Sequence, residues 1–317
     1  VSPAPVSATT VAANRFVAEH LDEARSLGER LPALVGDPRA FAATLGSGYA
    51  SLGDPVYVTG VRSVTPGLGP IFGVRQPLMQ TAHRAFSRGS KRAPAAAQLD
   101  CVAQLFHEEH RELRWFAIWM LGRLLADEPD RVWGLLREGA TRADEWITVD
   151  TLAHPWGDGI LADPARWDEL ERLLASPSRW ERRLVGSTVA TMPHKRAGKV
   201  QGPVIRDRGL ALMGRLIGDA EPDVQKALSW ALRSLADVDR PAATAFLDQE
   251  ARTARASADG NRAWVIRDTF NKLAAADAAR LRTELDGIRR RPGAPSTSLA
   301  AASAASAAHT ARRSSAP

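Results

Sequence analysis

From about Asn14 onward, apolar positions recur three and four residues apart, and alternating runs of β-branched residues are nearly absent. The pattern predicts an all-α fold. Beyond Pro77 the helices come in pairs, broken at Ala126-Asp-Glu-Pro129, Ala162-Asp-Pro164 and Ala175-Ser-Pro177, where Asp, Ser and Pro supply start and stop signals. In Ser176–Glu181, Ser178 is placed to cap the helix of Trp180 to Thr191, with Glu181 reaching back in a capping box. One segment, Asp54 to Gly67, has strand-like composition; its flanking Pro and Gly make it read as an extended linker after an N-terminal helical pair.

The pairs recur at roughly HEAT and armadillo spacing, in which a two-helix unit cannot bury its apolar face alone and stacks on the next. No crisp internal sequence repeat accompanies them. The expected organisation is a flexible N-terminus over 1–12, one HEAT-like solenoid with a concave face over 13–290, and a disordered Ala/Ser-rich tail over 291–317. Arg289-Arg290-Arg291 reads as a frayed, solvated helix end.

Composition narrows the function classes. The single cysteine, Cys101, excludes an internal disulfide framework and reads as a buried, inert thiol beside Leu105 and Phe106. His83, His107, His110, His154 and His194 show no metal spacing with acidic partners, so neither metal nor cofactor is expected. Serine-nucleophile motifs and phosphate-binding glycine loops are missing; Gly67-Leu-Gly69 lacks the strand–turn–helix setting of a nucleotide fingerprint. No window reads as a membrane span or a signal segment, which suggests a cytoplasmic, nucleoid-associated monomer. The net charge is +6, from 42 basic against 36 acidic side chains, so only the placement of the excess matters.

That placement centres on tryptophans with ionisable neighbours at helical spacing. Trp146 and Asp150 project from one side of a helix whose buried stripe is Ile147, Val149 and Leu152. In Trp180–Arg183, Leu184, Val185 and Val189 form the packing side, and Arg182 and Arg183 point different ways round the turn, so that one can leave the core. In Val224–Arg233, Val224, Leu228 and Leu232 pack inward, Trp230 sits off that stripe, and Lys226 and Arg233 add positive charge. Taken alone, such indoles read as core or groove packing, and Asp150 as a helix-surface carboxylate paired with a base.

The phrases Trp146-Ile-Thr-Val-Asp150, Trp180-Glu-Arg-Arg183 and Gln225-Lys-Ala-Leu-Ser-Trp-Ala-Leu-Arg233, in that order, resemble the AlkD-type DNA alkylation repair family. Weaker likeness runs from Gly69–Arg75 to the helix of His110–Ile118, so the resemblance covers about 65–275. It implies HEAT-like repeats whose basic concave face holds duplex DNA, and a glycosylase that releases cationic N3- or N7-alkylated purines, such as 3-methyladenine and 7-methylguanine, without flipping the base. Carried over by position, Trp146 and Trp230 would be the active-site indoles, Asp150 the catalytic carboxylate, and Arg183, or its neighbour Arg182, the DNA-contacting arginine. The segment His194–Arg208 is longer than the family's usual connection; its Lys195, Arg196 and Lys199 are either an added DNA contact or a solvated basic loop. Two alternatives stay open: a DNA-binding relative without excision, recognising damaged or branched DNA, and a helical scaffold for another protein.

Overall fold

The computed structural model describes residues 7–65 and 67–290; the expected tail over 291–317 and the first six residues of the expected flexible N-terminus lie outside them. The fold is an all-α helical repeat, with no strand among the described residues. It divides at Leu135/Leu136 into two compact units, a division that falls inside a helix, α7.

The first unit carries α1 (Ala8–Arg30), α2 (Pro38–Ser51), α3 (Pro55–Val64), α4 (Gln76–Gly89), α5 (Ala95–Phe106), α6 (Arg111–Leu124) and the start of α7 (Pro129–Arg142). Helix α1 begins inside the stretch expected to be flexible, because Ser7 accepts from the Thr10 N–H at 3.2 Å and closes the first turn. It packs on α4, and α5 packs on both α2 and α6. Phe41, Phe86 and Phe116 meet in the core, with ring centroids 5.4 and 5.6 Å apart for Phe41–Phe86 and Phe86–Phe116. Cys101 is a buried free thiol, as expected, with Sγ 3.5 Å from the Val35 carbonyl, and burial raises its pKa to about 12.

The expected linker over 54–67 is corrected: its centre is α3. Asp54 accepts from the Val56 N–H at 2.9 Å and Pro55 supplies the first-turn geometry, so an Asp-Pro start outweighs the β-branched content that follows. Next to it, the buried Glu112 carboxylate accepts the N–H groups of Phe72 and Gly73 at 3.2 and 2.7 Å, and Gly73 takes φ +87° where a side chain would be strained.

The second unit carries α8 (Trp146–Ala162), α9 (Trp167–Leu173), α10 (Arg179–Thr191), α11 (Arg196–Val200), α12 (Gly202–Leu216), α13 (Pro222–Val238), α14 (Arg240–Ser257), α15 (Gly260–Arg267) and α16 (Ala275–Glu284). Helices α8, α10, α13 and α15 pack side by side as one row; α12 and α14 back α13, and α16 backs α14. Hydrogen bonds between neighbours in the row recur at a near-constant separation. Thr191 reaches the Ala153 carbonyl, 38 residues away, at 3.3 Å, and His194 meets Ser234 across 40 residues at 3.3 Å. Ser229 meets Asp268 across 39 residues at 2.6 Å. That separation is the length of a HEAT-like unit, and it is visible in the bonding although the sequence shows no crisp repeat.

Two further expectations are corrected here. The basic segment 194–208 is not a loop: it is α11 and the start of α12, held by Gly198, where a Cβ would lie 1.8 Å from the Met192 carbonyl oxygen. Arg290 is not solvated at a frayed end, since its guanidinium lies 3.9 Å from the Trp264 ring centroid. No helix among the described residues is long and apolar enough to cross a membrane.

Candidate functional site

The site lies on the α8–α10–α13 row. Helix α8 starts where it does because Glu145, itself buried, turns its carboxylate onto the first free backbone donors, accepting from Ile147 N–H at 2.5 Å and Thr148 N–H at 2.8 Å. Burial pushes this carboxyl above the ordinary range, against the pull of those donors. Trp146 thereby becomes the first residue of the helix, half-buried, and Asp150 follows one turn on along the same side. Of the stripe expected to be buried, Val149 and Leu152 are; Ile147 is only half-buried.

Asp150 is held from α10. Arg183 donates through Nε to Oδ1 at 3.1 Å and through Nη2 to Oδ2 at 2.8 Å, a bidentate pair, while the Ser187 hydroxyl donates to Oδ1 at 2.6 Å. Arg183 and Ser187 are one helical turn apart, so two residues of α10 grip one residue of α8. The third arm of Arg183, Nη1, donates to the Asp223 carbonyl at the start of α13 at 2.7 Å. A single guanidinium thus ties three successive repeats together. Its side chain is 8% exposed and that of Asp150 21%, so the carboxylate keeps an edge to solvent while the arginine does not. A carboxylate offers about four acceptor positions. Three are used, and the position left is on Oδ2.

The expectation that one of Arg182 and Arg183 leaves the core is therefore corrected. Arg182 pairs with Asp219 through Nε at 2.6 Å, and Arg183 is consumed by Asp150 and Asp223. The capping box expected at Ser178 and Glu181 is likewise corrected. Ser178 is the N-cap residue of α10, which begins at Arg179, but its side chain caps nothing; Glu181 takes the Ser176 hydroxyl instead. Leu184, Val185 and Val189 pack inward as expected.

On α13, Val224, Leu228 and Leu232 are fully buried. Half-buried Trp230 lies on the opposite side of the helix from that stripe, facing away from α12 and α14. Lys226 and Arg233 belong to a second cluster on the α15 side of α13. Arg233 donates to Asp268 at 2.7 Å, Ser229 donates to the same oxygen, and Lys226 stands 3.8 Å from it and 4.9 Å from the Trp264 ring centroid. Trp264 and Asp268 repeat the four-residue spacing of Trp146 and Asp150, and an Arg and a Ser one turn apart again serve the carboxylate.

Of the basic residues of α11 and its lead-in, Lys195 is tied to Asp158 at 2.7 Å, while Arg196 and Lys199 form no ion pair among the described residues. Ser187, Asp223 and His154 escaped the sequence reading. For Ser187 the signal was present, since it stands four residues after Arg183 on a helix with a small, polar inner edge. Asp223 and His154 needed the repeat register. Among the described residues, no group of three or more His, Cys, Asp or Glu is arranged to hold a metal ion.

Compared with known proteins, the chain matches the family model described as DNA alkylation repair enzyme over residues 49–272, which contains Trp146, Asp150, Arg183 and Trp230. No curated protein matches it.

Proposed function

The chain belongs to the DNA alkylation repair enzyme family, and from that premise we propose that it is a glycosylase that removes cationic N3- or N7-alkylated purines from duplex DNA. The observation that carries this reading is a carboxylate preset by a bidentate arginine and a serine, with one acceptor position and an edge left open, one turn from an indole. Alkylation at N7 or N3 places a positive charge on the purine, so the base departs without the proton that a general acid would deliver. What requires stabilisation is the deoxyribose, which gains positive charge as the bond from C1′ to nitrogen stretches. Asp150, fixed in advance, meets that charge without reorganising, and the faces of Trp146 and Trp230 present negative quadrupoles to it. Selection by leaving-group charge needs no closed pocket to grip an extruded base. Lys226, Arg233, Arg196 and Lys199 supply sequence-independent contacts to phosphates.

The test is release of 7-methylguanine and 3-methyladenine from N-methylated duplex DNA by the pure protein, with Asp150→Asn as control. Release by wild type and not by the variant supports the assignment; no release of either base sinks it. One observation favours a second reading, a DNA-binding relative without excision: three of the four acceptor positions of Asp150 serve the fold. Salt-sensitive DNA binding with no base release would select it.

A further inference from the structure

The chemistry proposed above consumes a water molecule, and Asp150 has a single acceptor position with which to meet both the sugar and the water. We propose that His154 is the base that takes the proton from the attacking water, leaving Asp150 to face the deoxyribose. This inference rests on the glycosylase reading and deepens it.

His154 stands four residues after Asp150 and eight after Trp146, so the three side chains climb one side of α8 in successive turns, about 6 Å apart. It is exposed, whereas its neighbours Ala153 and Pro155 are buried, so the imidazole is on the solvent side of the helix and not in the core. Three charged groups bear on the ring. Lys195 follows the turn after α10, and Asp158 and Asp150 flank it along α8; Lys195 is itself bound to Asp158 at 2.7 Å. From α10 the nearest charge on this side is Arg183, which is already committed to Asp150 and to the Asp223 carbonyl. The protein around the ring and the ammonium of Lys195 both disfavour the imidazolium and outweigh the two carboxylates, so the pKa of His154 is lowered. At neutral pH the ring is uncharged and able to accept a proton.

The step balances without any further reagent. Water oxygen forms the bond to C1′ as the bond from C1′ to the purine nitrogen breaks. The breaking pair goes to the base, which leaves neutral, and the water proton passes to an imidazole nitrogen.

The experiment follows base release from N7-methylguanine duplex DNA as a function of pH for wild type, His154→Gln and His154→Ala, the last with and without added imidazole. Wild type should lose rate as pH falls through the lowered imidazole value. His154→Gln should be slower by about 10²-fold and lack that limb, and imidazole should restore part of the rate to His154→Ala. Wild-type rates and an unchanged acid limb in His154→Gln, or no rescue of His154→Ala, overturn the assignment of His154 while leaving the glycosylase standing. A wild-type protein that releases no base at any pH overturns the reading beneath it.

Discussion

Arg183 bridges two acidic residues on two different neighbouring repeats, which makes the three substitutions around it unequal in a predictable order. Removing one partner of a desolvated ion pair costs about 3–5 kcal/mol, because the other charge stays buried without compensation. Arg183→Met should sit in that range. It strands Asp150, of which the side chain is 21% exposed and can rehydrate in part, and Asp223, of which the side chain is 4% exposed and cannot. Asp150→Asn should cost less, about 2–3 kcal/mol. The amide oxygen that replaces the carboxylate retains one guanidinium bond, the Asp223 carbonyl stays 2.7 Å from Nη1, and the Asp223 carboxylate still faces the charge. Ser187→Ala removes one hydroxyl bond to a charged acceptor and should cost about 1.5–3 kcal/mol, near the lower end because the arginine still holds Asp150. For a unit of this size, about 2–3 kcal/mol lowers Tm by about 4–12 °C. Burial raises the Asp223 pKa. A folded form with a raised carboxyl pKa takes up its proton first, so its stability grows as pH falls through that value. Losing Arg183, which opposes the rise, leaves the value higher still, so the penalty of Arg183→Met should shrink on acidification. Thermal unfolding by circular dichroism between pH 4 and 8 reads both effects. An Asp150→Asn protein as stable as wild type, or an Arg183→Met protein less affected than Asp150→Asn at neutral pH, would refute the claim that the arginine is the more deeply committed partner.

Three further outcomes follow from the same physics. The Glu169 carboxyl is held below the usual range by Arg137, which donates to it at 2.6 and 3.0 Å, so its contribution to stability is present above the unfolded value and lost as pH falls through the folded one; Arg137→Gln should flatten that acid loss in pH-dependent urea unfolding. The Cys101 thiol, pushed up to about 12 by burial, should resist a disulfide reagent at pH 8 in the folded chain and react at once in denaturant; fast native labelling would contradict its packing. If α11 contacts DNA, the double variant Arg196→Ala, Lys199→Ala should make the slope of log Kobs against log salt shallower by about 1.8, which binding titrations at several ionic strengths would read.

The helical class and the Trp146–Asp150 juxtaposition were legible because both depend on spacing within one helix, which a sequence displays directly. What lay hidden depends on partners about 40 residues away. That Arg183 turns inward to Asp150 follows from α10 lying between α8 and α13, and no local pattern in Trp180–Arg183 distinguishes it from Arg182, which turns to Asp219. Helix α3 was misread for a local reason: Val56, Tyr57, Val58 and Val61 favour strands, yet the Asp54-Pro55 start and burial of Val61 decide the outcome. The Ser178–Glu181 box failed because Ser176, two residues earlier, competes for the same carboxylate. Arg290 found Trp264 only because the chain returns to it after α16, a tertiary event that composition at residues 289–291 does not encode.

The residue best placed for chemistry is also a rivet of the stack, and this overlap has a physical cause. A carboxylate that must meet developing positive charge without moving has to be held by donors on a different element from its own, and in a stack of helix pairs the nearest such element is the next repeat. Preorganisation and inter-repeat adhesion then draw on the same Arg183 and Ser187 bonds. Substitutions at Asp150, Arg183 or Ser187 must therefore change stability and any activity together, and cannot by themselves separate a catalytic role from a structural one. Trp146, His154 and Trp230 are at least partly open to solvent, and no bond of theirs fastens Asp150, so they are the positions at which activity can be altered with the stack intact. A loss of base release at one of these three, with Tm unchanged, separates chemistry from architecture in this fold.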